Sequence, residues 1–104
     1  MSKYKITEYS LNHAKRLGVE IKPSTSKKKK IDVFDKDGNL LARIGAMRPD
    51  GTPYMDYPTL MNKERLGQVS KNTARIRQIL YKKRHEDDRH IKGSAGYFAD
   101  QILW

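Results

Sequence analysis

The sequence predicts a single small α+β domain, and three observations predict it. Two aliphatic runs flank an Asp-Gly-Asn turn, which is a hairpin signal; apolar residues recur at helical spacing towards both ends of the chain; and 104 residues without an internal repeat suit one core rather than two. The expected architecture is a small antiparallel sheet centred on a β-hairpin (about residues 31–35 and 40–44), packed with three helices. These are an N-terminal helix (about 7–17), a long helix (about 72–91) and a short C-terminal helix (about 94–103).

The first helix follows from Thr7 as cap, Leu11, Ala14 and Leu17 on one face, Lys15 and Arg16 in the last turn, and Gly18 as terminator. Val19 to Lys22 alternates like a brief strand closed by Pro23. Residues 23–30 then read as a mobile lysine-rich loop, because Ser24, Thr25 and Ser26 lead into four consecutive lysines that a core would not accept. The hairpin turns at Lys36-Asp37-Gly38-Asn39. A calcium loop is rejected there, since the glycine stands in the wrong place and no bidentate glutamate follows.

Residues 45–58 hold three of the four prolines, and Arg48-Pro49-Asp50-Gly51 predicts a second turn. Tyr54, Met55 and Tyr57 are expected to pin this loop to the sheet rather than to stack bases. Thr59 to Leu66 supports a helical turn or two. In the long helix, Asn72 is the candidate cap, and Ile76, Ile79 and Leu80 form a stripe expected to be buried. Beyond Tyr81 the pairs Lys82/Glu86, Lys83/Asp87 and Arg84/Asp88 are spaced to extend the helix as an ion-pair ladder worth only about 0.2–0.5 kcal/mol each. Gly93 stops it and Ser94 caps the last helix. That helix ends on Ile102-Leu103-Trp104, apolar enough to dock within the monomer or, failing that, to form an oligomer seam or enter a partner's groove.

Net charge is +10, and it lies towards the two ends. Residues 1–30 carry nine cations against two acids, 31–66 five against six, and 67–104 eight against four. A polyanion is the natural partner, nucleic acid first, with DNA ahead of RNA, and an acidic protein or a membrane surface behind it. The expected phosphate contacts are Lys27, Lys28, Lys29, Lys30, Arg75, Arg77, Lys82, Lys83, Arg84, Arg89 and Lys92. Four phosphates on the lysine run alone would give a slope near about −3.6 in log K against log salt. The chain has no cysteine, which removes thiolate chemistry and disulfides. No apolar run approaches the roughly 18 residues of a membrane span, and Met1 to Ser10 lacks the apolar segment of a secretion signal, so neither membrane insertion nor secretion is expected.

No catalytic motif, cofactor site or metal site is expected. His85, Glu86, Asp88 and His90 invite a metal-dependent nuclease reading, but the two histidines point about 140° apart on a helix, and local ion pairing explains them better. Lys92-Gly93-Ser94-Ala95-Gly96 could offer backbone N–H groups to a phosphate, although a helix cap explains the same residues.

The strings Arg84-His85-Glu86-Asp87-Asp88-Arg89 and Gly93-Ser94-Ala95-Gly96-Tyr97-Phe98-Ala99-Asp100-Gln101-Ile102-Leu103-Trp104, with Ile31-Asp32-Val33-Phe34, Ile44-Gly45-Ala46 and Asp56-Tyr57-Pro58, resemble a family of short basic proteins of unassigned function. That family is encoded by nucleocytoplasmic large DNA viruses of algae and amoebae. The resemblance covers most of the chain after Lys22 and implies a viral setting, in the virion or in the host nucleus or cytoplasm. Non-catalytic, largely sequence-independent nucleic-acid binding in genome organisation or packaging is then the expected function. A minor capsid or tegument-like component that binds viral structural proteins is the alternative.

Overall fold

The computed structural model describes residues 4–104; the first three residues of the segment read above for a secretion signal lie outside the described residues. The architecture is α+β. Helix α1 (Glu8–Leu17) leads into strands β1 (Glu20–Pro23), β2 (Lys29–Phe34) and β3 (Leu40–Ala46). Helices α2 (Tyr57–Arg65), α3 (Thr73–Arg84) and α4 (Ala95–Leu103) complete the chain. The sheet is an antiparallel meander of order β1-β2-β3, with Ile21 opposite Val33 and Ile31 opposite Ile44. No helix among the described residues is long and apolar enough to cross a membrane.

Local chemistry accounts for most of these boundaries. Thr7 Oγ1 accepts from the Ser10 N–H at 3.2 Å, and Gly18 ends α1 at φ 76°. In the hairpin turn Asp35 Oδ1 accepts from the N–H groups of Asp37 and Asn39, each at 2.9 Å, while Gly38 takes φ 87°. Ser94 Oγ receives the Tyr97 N–H at 3.1 Å and starts α4.

The core joins Ala14 of α1, Ile31, Val33 and Ile44 of the sheet, and Phe98, Ile102 and Leu103 of α4, with Tyr4 beside them. Ser10 Oγ donates to the Ile102 carbonyl at 2.9 Å and ties α1 to α4. The apolar face of α4, with Phe98, Ile102 and Leu103, is therefore covered within the chain.

Four expectations need correction. The long helix ends at Arg84, and residues 85–94 proceed in turns. The ladder does not form, because Lys82 reaches the buried carboxylate of Asp100 at 2.9 Å while Glu86 pairs with Arg89 and His90. Exposed ladder pairs are too weak to hold a helix against a buried, well-formed alternative. Asn72 occupies the cap position of α3 in the left-handed region, φ 71°, without a side-chain capping bond; Glu64 Oε2 accepts the Ala74 N–H instead, at 3.2 Å. The stripe of α3 is not core: Ile76, Ile79 and Leu80 are 55%, 52% and 52% exposed.

The fourth correction concerns the lysine run. Lys29 and Lys30 belong to β2, Pro23 to β1, and Lys30 is 2% exposed. Its ammonium lies 3.1 Å from Asp56 Oδ2, which also accepts the Tyr4 hydroxyl at 2.7 Å, and 5.0 Å from the centre of the Tyr4 ring. A lysine is tolerated in a core once paired and hydrogen-bonded. Burial pulls the Lys30 ammonium below the ordinary lysine range, with Asp56 opposing it.

Asp32, the next buried charge along β2, accepts from Ser24 Oγ at 2.5 Å and from the Thr25 N–H and Arg43 Nε, each at 3.2 Å. Burial alone would raise its carboxyl; the Ser24 hydroxyl and Thr25 N–H, with Arg43, outweigh that and hold it below the ordinary value of 3.8. As pH falls, the unfolded carboxyl takes its proton first. The stabilisation is thus complete above the unfolded value and is lost as pH drops through the lower, folded one. Asp32→Asn should flatten the loss of stability between about pH 5 and pH 2, as read by urea midpoints. An undiminished acid loss in the variant would remove Asp32 from this role.

Candidate nucleic-acid interface

One face of α3 carries Arg77, Tyr81 and Arg84, spaced i, i+4 and i+7, so the helix turns all three in one direction, and the C-capping residue His85 follows them. The same groove is lined by Gly45 and Ala46 at the end of β3 and by Arg48, Tyr54 and Met55 from the proline-rich loop. Leu103, Trp104 and Lys30 complete the lining. The result is a groove of about 470 Å³ whose walls come from three remote parts of the chain.

Its aromatic wall is a stacked column. The Tyr81 ring packs on Trp104, with centroids 4.5 Å apart and planes at 8°, and on His85 at 4.3 Å and 28°. Gln78 Nε2 donates to the Trp104 backbone oxygen at 2.6 Å and holds that ring in place from α3. Burial, with the Asp100 and Asp88 carboxylates nearby, pushes the Tyr81 phenol up to about 12, so it stays neutral at physiological pH. Also in the lining, the Arg48 guanidinium sits 4.9 Å from the centre of the Tyr54 ring. The Tyr54 side chain is exposed and lines the groove, while its backbone N–H donates to the Ala46 carbonyl of β3 at 3.2 Å and ties the loop to the sheet; Tyr57 packs instead on Tyr9 of α1 at 5.5 Å.

Among the described residues, Arg48, Arg77 and Arg84 have no carboxylate partner in an ion pair, which leaves three unneutralised guanidinium groups around one concavity. A second hollow of about 510 Å³ lies beside it. It is lined by Lys27, Lys28, Met47, Pro49, Asp50 and Gly51, and it shares Arg48 with the groove. The backbone holds the two together, because the Met47 N–H donates to the Lys28 carbonyl at 3.2 Å.

The predicted contacts therefore divide. Arg77 and Arg84 line the groove, and Lys27 and Lys28 line the adjoining hollow. Lys29, Arg75, Lys83 and Lys92 line neither. Lys30 is paired with Asp56 at the base, so it is not a phosphate contact. Lys82 and Arg89 converge on the buried Asp100, at 2.9 and 3.8 Å, and Arg89 also binds Glu86; their charge is largely answered within the chain.

Residues missed at the sequence level are Arg48, Tyr81, His85 and Trp104. The i, i+4, i+7 spacing of Arg77, Tyr81 and Arg84 was a signal for part of this set. The anion cradle read at Lys92 to Gly96 is occupied from within: a Cβ on Gly96 would stand 2.7 Å from Asp88 Oδ2, so a carboxylate already lies against the start of α4. His85 and Asp88 pair at 3.4 Å and His90 and Glu86 at 2.9 Å. Among the described residues no group of three or more His, Asp or Glu side chains is placed to hold a metal ion.

No family model matches this chain, and neither does any curated protein or solved structure.

Proposed function

We propose that the groove binds a single-stranded nucleic acid, DNA before RNA, without catalysis. Arg48, Arg77 and Arg84 would hold phosphates, while the outer faces of Trp104 and Tyr54 would receive bases. The observation that carries this reading is the meeting of three unpaired arginines with an aromatic column in one concavity. Free cations without aromatics would suit any polyanion; aromatic faces sunk in a cationic groove suit bases that have left their stack, because a duplex keeps its bases paired and covered. The adjoining Lys27/Lys28 hollow offers the strand an onward path past Arg48. Recognition through phosphates and π-faces is sequence-tolerant, which fits a role in coating or packaging a genome in the viral setting that the family resemblance implies.

Trp104 is the chain's one tryptophan, so its fluorescence reports from inside the groove. Titration with an oligothymidylate should quench it, with a log K against log salt slope of about −2 for three phosphate contacts, steeper if the lysine hollow joins. Arg77→Ala combined with Arg84→Ala should make that slope shallower by about 1.4. Binding without quenching, or a slope indifferent to both arginines, would place the contact elsewhere and end this reading.

A further inference from the structure

We infer that the outward face of α3 is a docking surface for an acidic amphipathic helix of another protein. The inference stands apart from the nucleic-acid reading, because Ile76, Ile79 and Leu80 line no part of the groove, although Arg84 borders the stripe one turn beyond Leu80. Ile76, Ile79 and Leu80 are spaced i, i+3 and i+4, and each has about half its surface in water. A solvent-facing helix would ordinarily carry polar residues there, and helix-in-groove recognition reads this spacing of anchors. On α2, which packs against α3, Met61 and the capping residue Leu66 are exposed as well.

Charge selects the occupant. From Thr73 to Arg84 the helix holds no acid; of its five cations Arg77 and Arg84 line the groove and Lys82 is paired with Asp100, which leaves Arg75 beside the start of the stripe and Lys83 continuing it one turn on. A second copy laid antiparallel on this face would bring Arg75 of one chain towards Lys83 of the other, and each chain carries +10. Like charges disfavour that pairing. A membrane surface is disfavoured for another reason: attachment scales with the apolar area inserted, and three aliphatic side chains on a twelve-residue helix offer little. A partner helix with aliphatic residues on one side and glutamate or aspartate along both flanks satisfies the stripe and the cations together.

The probe is a fluorescein-labelled synthetic helix with leucines at i, i+3, i+4 and i+7 and glutamates on the flanks, with a lysine-flanked version as control. Fluorescence polarisation should show saturable binding of the glutamate peptide alone. Ile76→Gln with Leu80→Gln should weaken it by at least about tenfold, and Arg48→Ala, which removes a groove arginine that lies off α3, should leave it within about twofold. The Gln variant changes no buried residue, and an unchanged urea midpoint would certify its fold. Equal binding by the Gln variant would reduce the attraction to bulk charge and overturn the proposal. So would equal binding of the lysine peptide, or a stripe-dependent dimer in sedimentation. Stripe-dependent binding to phosphatidylserine vesicles that the glutamate peptide fails to displace would assign the face to membranes instead.

Discussion

Replacing Asp56 by alanine should cost about 3–5 kcal/mol of folding stability, a large share of what a domain of this size has. Asp56 is fully buried and joins three elements: Oδ2 takes the Lys30 ammonium at 3.1 Å and the Tyr4 hydroxyl at 2.7 Å, and Oδ1 caps α2 through the Thr59 N–H at 3.1 Å. Removing it strands a buried cation, leaves a buried hydroxyl without this acceptor and uncaps a helix. The stranded cation is the dominant cost, because burial already draws the Lys30 ammonium below the ordinary range and the one strong opposing influence would be gone.

The sign of the pH response follows. With the folded lysine titrating below its unfolded value of 10.5, the unfolded chain binds more protons in the interval between the two. Stability of Asp56→Ala should therefore rise with pH across that interval. Asp56→Asn with Lys30→Met keeps the cap and an acceptor for Tyr4 while removing both charges, and it should recover most of the loss. Urea unfolding decides the matter. An Asp56→Ala loss under about 1 kcal/mol would mean that Lys30 finds water, and the buried pair would lose its structural importance.

Gly45→Ala should cost about 2–4 kcal/mol, well beyond the same change at Gly38. Both glycines have positive φ, 81° and 87°, so the backbone penalty of about 1–2 kcal/mol is common to the two. They differ in what the new methyl group meets. At Gly38 it enters open space; at Gly45 it would lie 2.7–2.9 Å from the Cβ, Cγ and Cδ of Lys30. Gly45 lies between the Ile31/Ile44 and Lys29/Ala46 pairs, opposite Lys30, so the lysine stem runs over it towards Asp56. A methyl there must displace the stem near its root, and the buried ion pair with it. Equal losses at the two sites would show that only backbone strain matters.

Elements whose causes are near neighbours in the chain could be read from the residues. Thr7 and Ser94 cap helices through N–H groups three residues on, Gly18 stops α1 with no partner but its own helix, and the hairpin turns on Asp35, Gly38 and Asn39. Periodicity reached further and with less certainty. It located the apolar stripe of α3 correctly as a stripe, yet spacing says only that residues share a side, and which side meets the core depends on what the other elements leave room for. The polar stretch after Tyr81 failed for a related reason: a helix there competes with Asp100, an acceptor distant in sequence whose burial makes it the stronger partner for Lys82.

The groove shows the same division. Arg77, Tyr81 and Arg84 share a helical face by arithmetic, whereas their meeting with Arg48, Tyr54 and Trp104 needs the β3 end, the proline-rich loop and the C-terminal residues in one place. By itself the sequence determined the class of fold, the local starts and stops and an excess of positive charge. Only the tertiary structure decided which cations face water and which are answered by buried aspartates. The reason is that capping and turning are short-range bonds of the chain with itself, while burial and charge pairing are relations among segments that become neighbours only on folding.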